Sequence, residues 1–128
     1  MGTNYYLHTN ICSHCGKGDE PLHIGKSSAG WVFALHVYPE DGISSLMDWK
    51  SVLANGTIRD EYGKDVSYSD MMRTIEGRKK YGDPPTPEFL RENHAIAGPN
   101  NLARSTIGDF QCIGHGPGTY DYFVGEFS

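Results

Sequence analysis

Nowhere does the sequence contain the roughly 18 consecutive apolar residues that a membrane span needs. The N-terminus also lacks the basic start and apolar stretch of a signal peptide, so the cytosol is the expected location. Positive charge is in short supply. Eleven Lys plus Arg stand against sixteen Asp plus Glu, a net charge of -5 with neutral histidines. A chain of that sign has no general attraction to phosphate backbones, which makes nucleic acid an unexpected partner unless a local patch provides one. Cysteine is scarce as well. Three residues cannot form a closed disulfide framework, and a reducing cytosol disfavours disulfides in any case. No internal repeat and no low-complexity tail is present. What remains is one domain's worth of chain, residues 1–128, whose 38% apolar and 12% aromatic content can fill a modest core.

The cysteines matter through their spacing. Cys12 and Cys15, in C-x-x-C-G, form a knuckle in which two thiolates converge on one zinc ion while Gly16 permits the turn. Cys112 and His115 repeat the interval as C-x-x-H, again followed by glycine. The four make a Cys3His set that would close a loop of about 97 residues and staple the two ends of the domain. A local set competes: Cys12, Cys15, His23 and His36. Residues 21–26 and 31–38 read as two strands around Ser27-Ser28-Ala29-Gly30, with Lys26 facing Trp31. His36 then lies diagonal to His23 at about 7 to 8 Å. In either set the zinc is expected to be structural, because four protein ligands leave no position for substrate. A redox role for the C-x-x-C is less suited, since Gly16, Gly18 and Pro21 follow it and no helix can.

Elsewhere a first strand is expected at Thr3–Thr9. Ser45 with Asp48 opens a helix running to Asn55, which places Leu46, Met47, Trp49 and Leu53 largely on one face. Residues 57–62 and 64–68 flank Gly63 as a small hairpin. Ser67 with Asp70 opens a second helix, about 69–81. A short helical turn follows Pro84-Pro85-Thr86-Pro87, residues 96–118 read as irregular, and a last aromatic strand spans 120–127. The expected class is α+β: an antiparallel sheet from both ends of the chain and two central helices.

The most chemically loaded segment is His23 to Trp31. Gly25-Lys26-Ser27 matches the end of a P-loop, but the glycine required five residues earlier is Glu20, so that motif is rejected. Lys26 with the hydroxyls of Ser27 and Ser28 still forms a candidate anion nest, and Trp31 offers a stacking face for a base; the bland alternative is a polar turn with a core Trp. His23 and His36 join them as candidate ligand contacts. Asp60, Glu61 and Asp65 crowd one turn and suit a hard metal or acid/base work, though charged turns are usually solvated. Arg78-Lys79-Lys80 is a basic run that suits a helix C-terminus as well as it suits phosphate.

Met1-Gly2-Thr3-Asn4-Tyr5-Tyr6, the C-x-x-C-G at 12–16, the run from His23 to Trp31 (HIGKSSAGW), Asp48-Trp49, Asp60-Glu61-Tyr62-Gly63 and the terminal Gly125-Glu126-Phe127-Ser128 span nearly the whole chain. In these the sequence resembles a family of small, uncharacterised bacteriophage proteins. The resemblance brings no catalytic residues. It implies an accessory phage protein expressed in the infected bacterial cytosol, of the kind that serves host takeover or counters host defence. Three functions are therefore carried forward. The lead is a binding protein that sequesters a nucleotide-like signal or another small anionic ligand, or a host protein. The second is a metal-assisted, phosphodiesterase-like hydrolase using His23, His36 or His115 with an open metal position or with Asp60 and Glu61. The third is a zinc-ribbon nucleic-acid module, which the charge disfavours.

Overall fold

In the computed structural model the described residues are 2–9, 20–79, 82–106 and 111–125. The Cys12–Cys15 knuckle lies outside them, as do Lys80 and the expected C-terminal extension of the last strand. The strands are β1 (Gly2–His8), β2 (Leu22–Ser28), β3 (Phe33–His36), β4 (Thr57–Asp60), β5 (Asp65–Val66), β6 (Ala95–Ala97), β7 (Ala103–Ser105), β8 (Gln111–His115) and β9 (Tyr120–Val124). Three α-helices are described: α1 (Leu46–Leu53), α2 (Tyr68–Glu76) and α3 (Pro87–Glu92). None is long and apolar enough to cross a membrane.

Seven strands form one sheet in the order β5-β4-β1-β2-β3-β9-β8, and β6 and β7 form a separate ribbon. The α+β class and the return of the last strand to the N-terminal sheet are as the sequence implied. The sheet is only mostly antiparallel, because β9 pairs parallel to β3, with Phe33 opposite Tyr120 and His36 opposite Phe123.

Both main helices start as their capping patterns require: the Asp48 N–H donates to Ser45 Oγ at 3.3 Å and the Asp70 N–H to Ser67 Oγ at 3.1 Å. Leu46, Trp49 and Leu53 of α1 and Met71, Met72 and Ile75 of α2 pack on Leu7, Ile24, Phe33, Leu35, Ile58 and Tyr120 of the sheet. Met47, counted with the apolar face from the sequence, is 73% exposed. Trp49 is fully buried, and its indole N–H donates to the His36 carbonyl at 2.7 Å. Strand alternation then sends Asn4, Tyr6, Ala34, His36, Asp121 and Phe123 to the opposite face.

The β2–β3 hairpin differs from its expected register. Gly25 lies opposite Leu35 and Lys26 opposite Ala34, three residues away from the pairing of Lys26 with Trp31. The cause is a competing partner: Trp31 bridges to Ala103, and the Val32 N–H donates to the Ala103 carbonyl at 3.1 Å, so these residues leave β2 for β7. The second helix stops at Glu76, with Gly77 as its C-cap, and Arg78 just beyond it is used elsewhere. Its guanidinium donates to Trp31 O at 3.0 Å, to Ser28 O at 2.8 Å and to Ser27 Oγ, which clasps the hairpin turn. The stretch read as irregular, 96–118, holds β7, β8 and most of β6. These strands are short, and glycine and proline interrupt them, so they leave little periodicity to read.

Gly25 shows how tightly the centre of the sheet is packed. A Cβ there would lie 2.1 Å from the Ala34 carbonyl oxygen and 2.4 Å from the Phe33 ring. Gly25→Ala is expected to destabilise the fold by about 2 to 3 kcal/mol, through overpacking against backbone that cannot yield. Chemical denaturation of the two proteins measures it, and a change below 0.5 kcal/mol, about the ordinary range for surface substitutions, contradicts this account of the packing.

Candidate functional site

A β-bulge places the first histidine. Tyr5 pairs with Gly25 and Tyr6 with His23, so Ile24 has no opposite number. Ile24 and Gly25 both turn inward, and His23 emerges beside Tyr6 on the face away from the helices. His36, at the end of β3, shares that face. Their Nδ1 atoms lie 2.9 Å apart.

The protons on this pair follow from its neighbours. The Asn4 side-chain amide N–H donates to Glu61 Oε1 at 3.4 Å, which turns Asn4 Oδ1 toward His23 Nε2 at 2.8 Å. His23 then donates from Nε2 and accepts at Nδ1, and the His36 Nδ1–H is shared between His23 Nδ1 and the Tyr38 hydroxyl oxygen at 3.1 Å. The Tyr38 hydroxyl donates to the His23 carbonyl at 2.8 Å, and its ring stacks on His36 at 4.2 Å. Burial, then the adjacent His36 and to a lesser degree Lys26, lower the His23 pKa from the ordinary 6.5 to about 4. Burial pushes the Tyr38 hydroxyl up to about 12. Both are neutral at physiological pH. They border a cleft of about 760 Å³ that Tyr6, Glu20, Leu22 and Glu40 also line. Its described lining includes no lysine or arginine. Chemically it is a wall of rings with hydrogen-bonding edges, suited to a neutral planar heterocycle.

A second bulge builds the second cluster. Cys112 pairs with Phe123 and Gly114 with Tyr122, which leaves Ile113 unmatched and 57% exposed. On a regular strand Cys112 and His115 would point to opposite faces; the extra residue brings both to the face of Asp121. One donor atom from each of Cys112, His115 and Asp121 lies within 4.8 Å of the others, close enough to hold a metal ion. His115 Nδ1 is 2.6 Å from Asp121 Oδ1. Asp121 is wholly buried, and its other oxygen, Oδ2, has no hydrogen-bond partner. Arg104 Nε, 3.6 Å from Oδ1, is likewise unpartnered, while its Nη2 donates to the carbonyls of Gly116, at 3.2 Å, and Gly118. Burial raises the pKa of the Cys112 thiol, and it raises that of Asp121 against the opposing pull of His115, Arg104 and the Ser105 backbone N–H. A bound cation would reverse both effects.

No protein-family model, curated protein or solved structure matches this chain. The site is therefore read from its own chemistry.

Of the residues singled out in the sequence, His23, Lys26 and His36 share the outer face, with Lys26 near enough to His23 to depress its pKa. Ser27 and Ser28 are held by Arg78. Trp31 points elsewhere, toward Phe89 at 5.7 Å, in a separate cleft with Pro84 and Pro85. Cys112 and His115 come together. In the acidic turn, Asp60 Oδ1 accepts from the N–H groups of Tyr62 and Lys64, Asp65 pairs with Arg59 at 2.9 Å, and Glu61 accepts from Asn4. That turn uses its carboxylates to hold itself and β1. The sequence reading passed over Asn4, Tyr38, Arg104 and Asp121 as site residues. Only Asp121 left a signal, a lone carboxylate inside the aromatic run Tyr120-Asp121-Tyr122-Phe123.

The low pKa of His23 carries a pH dependence. Above pH 6.5 the ring is neutral folded or unfolded, and its full contribution is present. Between 6.5 and about 4 the unfolded chain takes up a proton that the folded chain refuses, so stability is lost as pH falls. Thermal melts of wild type and His23→Gln from pH 7.5 to 4 should show a smaller acid-side decline in the variant. Parallel declines contradict the assignment.

Proposed function

We propose that this is a binding protein of the infected bacterial cytosol, which sequesters a nucleotide-like signal or a host factor and thereby counters host defence. The observation that carries the binding reading is the cleft beside His23 and His36. Its volume suits a ligand of nucleoside size. Tyr6, Tyr38 and the two imidazoles, whose ring nitrogens are engaged with one another and with Asn4, supply ring faces to a base. Lys26, on the same face and close enough to His23 to depress its pKa, is the cation assigned to a phosphate, while Glu20 and Glu40 in the lining favour the base over the phosphate inside. Zinc at the Cys112 and His115 end, in a structural role and with Cys12 and Cys15 as the ligands expected from the sequence, completes the proposal.

A metal-assisted hydrolase is the second reading. It is favoured by one observation: the three donors on the sheet fall short of a closed four-ligand shell, and an incomplete shell leaves room for water.

Calorimetric titration with purine and pyrimidine nucleosides and their monophosphates tests the lead reading. Wild type is expected to bind a monophosphate, Lys26→Ala to weaken it roughly tenfold while leaving the parent nucleoside unaffected, and His23→Ala to weaken both. If the folded wild type binds none of them, the nucleotide reading fails.

Chelation separates the two metal roles. A structural ion predicts a lower melting temperature after treatment with a chelator. Metal loss shown by elemental analysis, with an unchanged melting curve, favours the hydrolase.

A further inference from the structure

The carboxylate of Asp121 lacks an adequate structural explanation. It is wholly buried, yet Oδ2 has no well-formed hydrogen bond: the Ser105 backbone N–H approaches the carboxylate closely enough to lower its pKa, and Arg104 pairs with Oδ1 at 3.6 Å without forming a hydrogen bond. Buried carboxylates are ordinarily saturated with donors, because an unsatisfied oxygen is costly away from water. An ion pair serving stability alone would bring Arg104 Nε onto the carboxylate. Instead that guanidinium is held by the carbonyls of Gly116 and Gly118. The other side chains within reach are a thiol and an imidazole, both of them metal donors.

We propose that Asp121 is a direct ligand of a divalent metal centre shared with Cys112 and His115, the ion taking the place of the hydrogen bond between His115 Nδ1 and Asp121 Oδ1. This rests on the reading of a metal at the Cys112 and His115 end and revises its ligand set, since with Asp121 in a four-ligand shell only one of Cys12 and Cys15 is needed to complete it. Three observations converge. The donor atoms already lie within 4.8 Å of one another. Asp121 is rigidly placed by its position on β9, between β3 and β8. The bulge at Ile113 exposes an apolar side chain and aligns Cys112 and His115 with that carboxylate. Thiolate, imidazole and carboxylate together form a borderline set that suits zinc or cobalt better than magnesium or calcium. On binding, the thiol proton leaves, and the imidazole proton moves from Nδ1 to Nε2. The separation between His115 Nδ1 and Asp121 Oδ1 opens to roughly 3 Å, as ligand bonds of about 2 Å require. Arg104, left beside the carboxylate, then holds it in position from outside the shell.

The test uses the full chain and two metals as probes. Co²⁺ titration of the wild type should give one tight site with a thiolate charge-transfer band, and Cys112→Ser should diminish that band. Asp121→Asn, nearly isosteric, should weaken Co²⁺ by more than roughly 100-fold, beyond the loss typical of an outer-shell partner, and should shift the d–d bands. Weakening of 100-fold or less with an unchanged spectrum overturns Asp121 as a ligand but leaves the metal reading standing. If wild type takes up neither Co²⁺ nor Zn²⁺, both fall. A second measurement needs no variant. Histidine-optimised ¹H–¹⁵N spectra of the Zn²⁺-loaded protein should place the ion on Nδ1 of His115, with the proton on Nε2. Coordination through Nε2, with Nδ1–H still on the carboxylate, makes Asp121 an orienting partner only and overturns the proposal.

Discussion

Strand β3 is four residues long and hydrogen-bonded on both sides, antiparallel to β2 and parallel to β9. The parallel pairing constrains everything else. Two parallel neighbours cannot be joined by a tight turn, so between His36 and β9 the chain must cross over to re-enter from the same end, adding β4, β5 and β8 at other positions of the same sheet on the way. All of α1, β4, β5, α2, α3, β6, β7 and β8 belongs to that excursion. The first two helices cover the inner face because the returning chain has to pass over it, and their apolar sides supply what Phe33 and Leu35 need for burial. Arg78 and Thr119 then lock the far end of the excursion to the hairpin turn: the Arg78 N–H donates to Thr119 Oγ1 at 3.1 Å while its guanidinium clasps Ser28 and Trp31.

Within this frame the sheet separates two tasks. The inner face is packed with aliphatic and aromatic groups, and the outer face carries imidazoles, a thiol and carboxylates. Neither histidine pair nor Cys-His-Asp group would exist on ideal strands, since His23 and His115 reach the outer face only through the extra residues Ile24 and Ile113. The two bulges resolve in opposite ways. Ile24 is taken into the core, whereas Ile113 is left in solvent, at an exposure that a stability argument does not explain and that the placement of His115 does.

Much of this was legible in the sequence, for local reasons. Ser45 with Asp48 and Ser67 with Asp70 mark helix starts through side-chain hydrogen bonds that span three residues, and Gly63 marks a turn through its positive φ of 85°. The approach of His23 to His36 was also legible, although the register that suggested it was off by three residues and the bulge supplied the correct phase. Long-range competition was not legible. Nothing near Trp31 announces that Ala103 will draw it out of the hairpin, and nothing near Arg78 announces that its guanidinium will hold a turn some fifty positions earlier. Asp121 was passed over because its meaning comes from burial and from partners on other strands, which strand propensity does not encode.

The parallel partnership of β3 also sets an order of events during synthesis. Strand β9 leaves the ribosome after every other described element, so β3 waits with one edge unpaired while α1 and α2 are already available to cover its face. An apolar strand with a bare edge is a template for unwanted pairing. The nascent chain thus passes through an aggregation-prone stage in which the hydrophobic surface of every other described element exists and the parallel partner of β3 is still missing. Translation speed across the glycine-rich approach to β9 sets how long that window stays open.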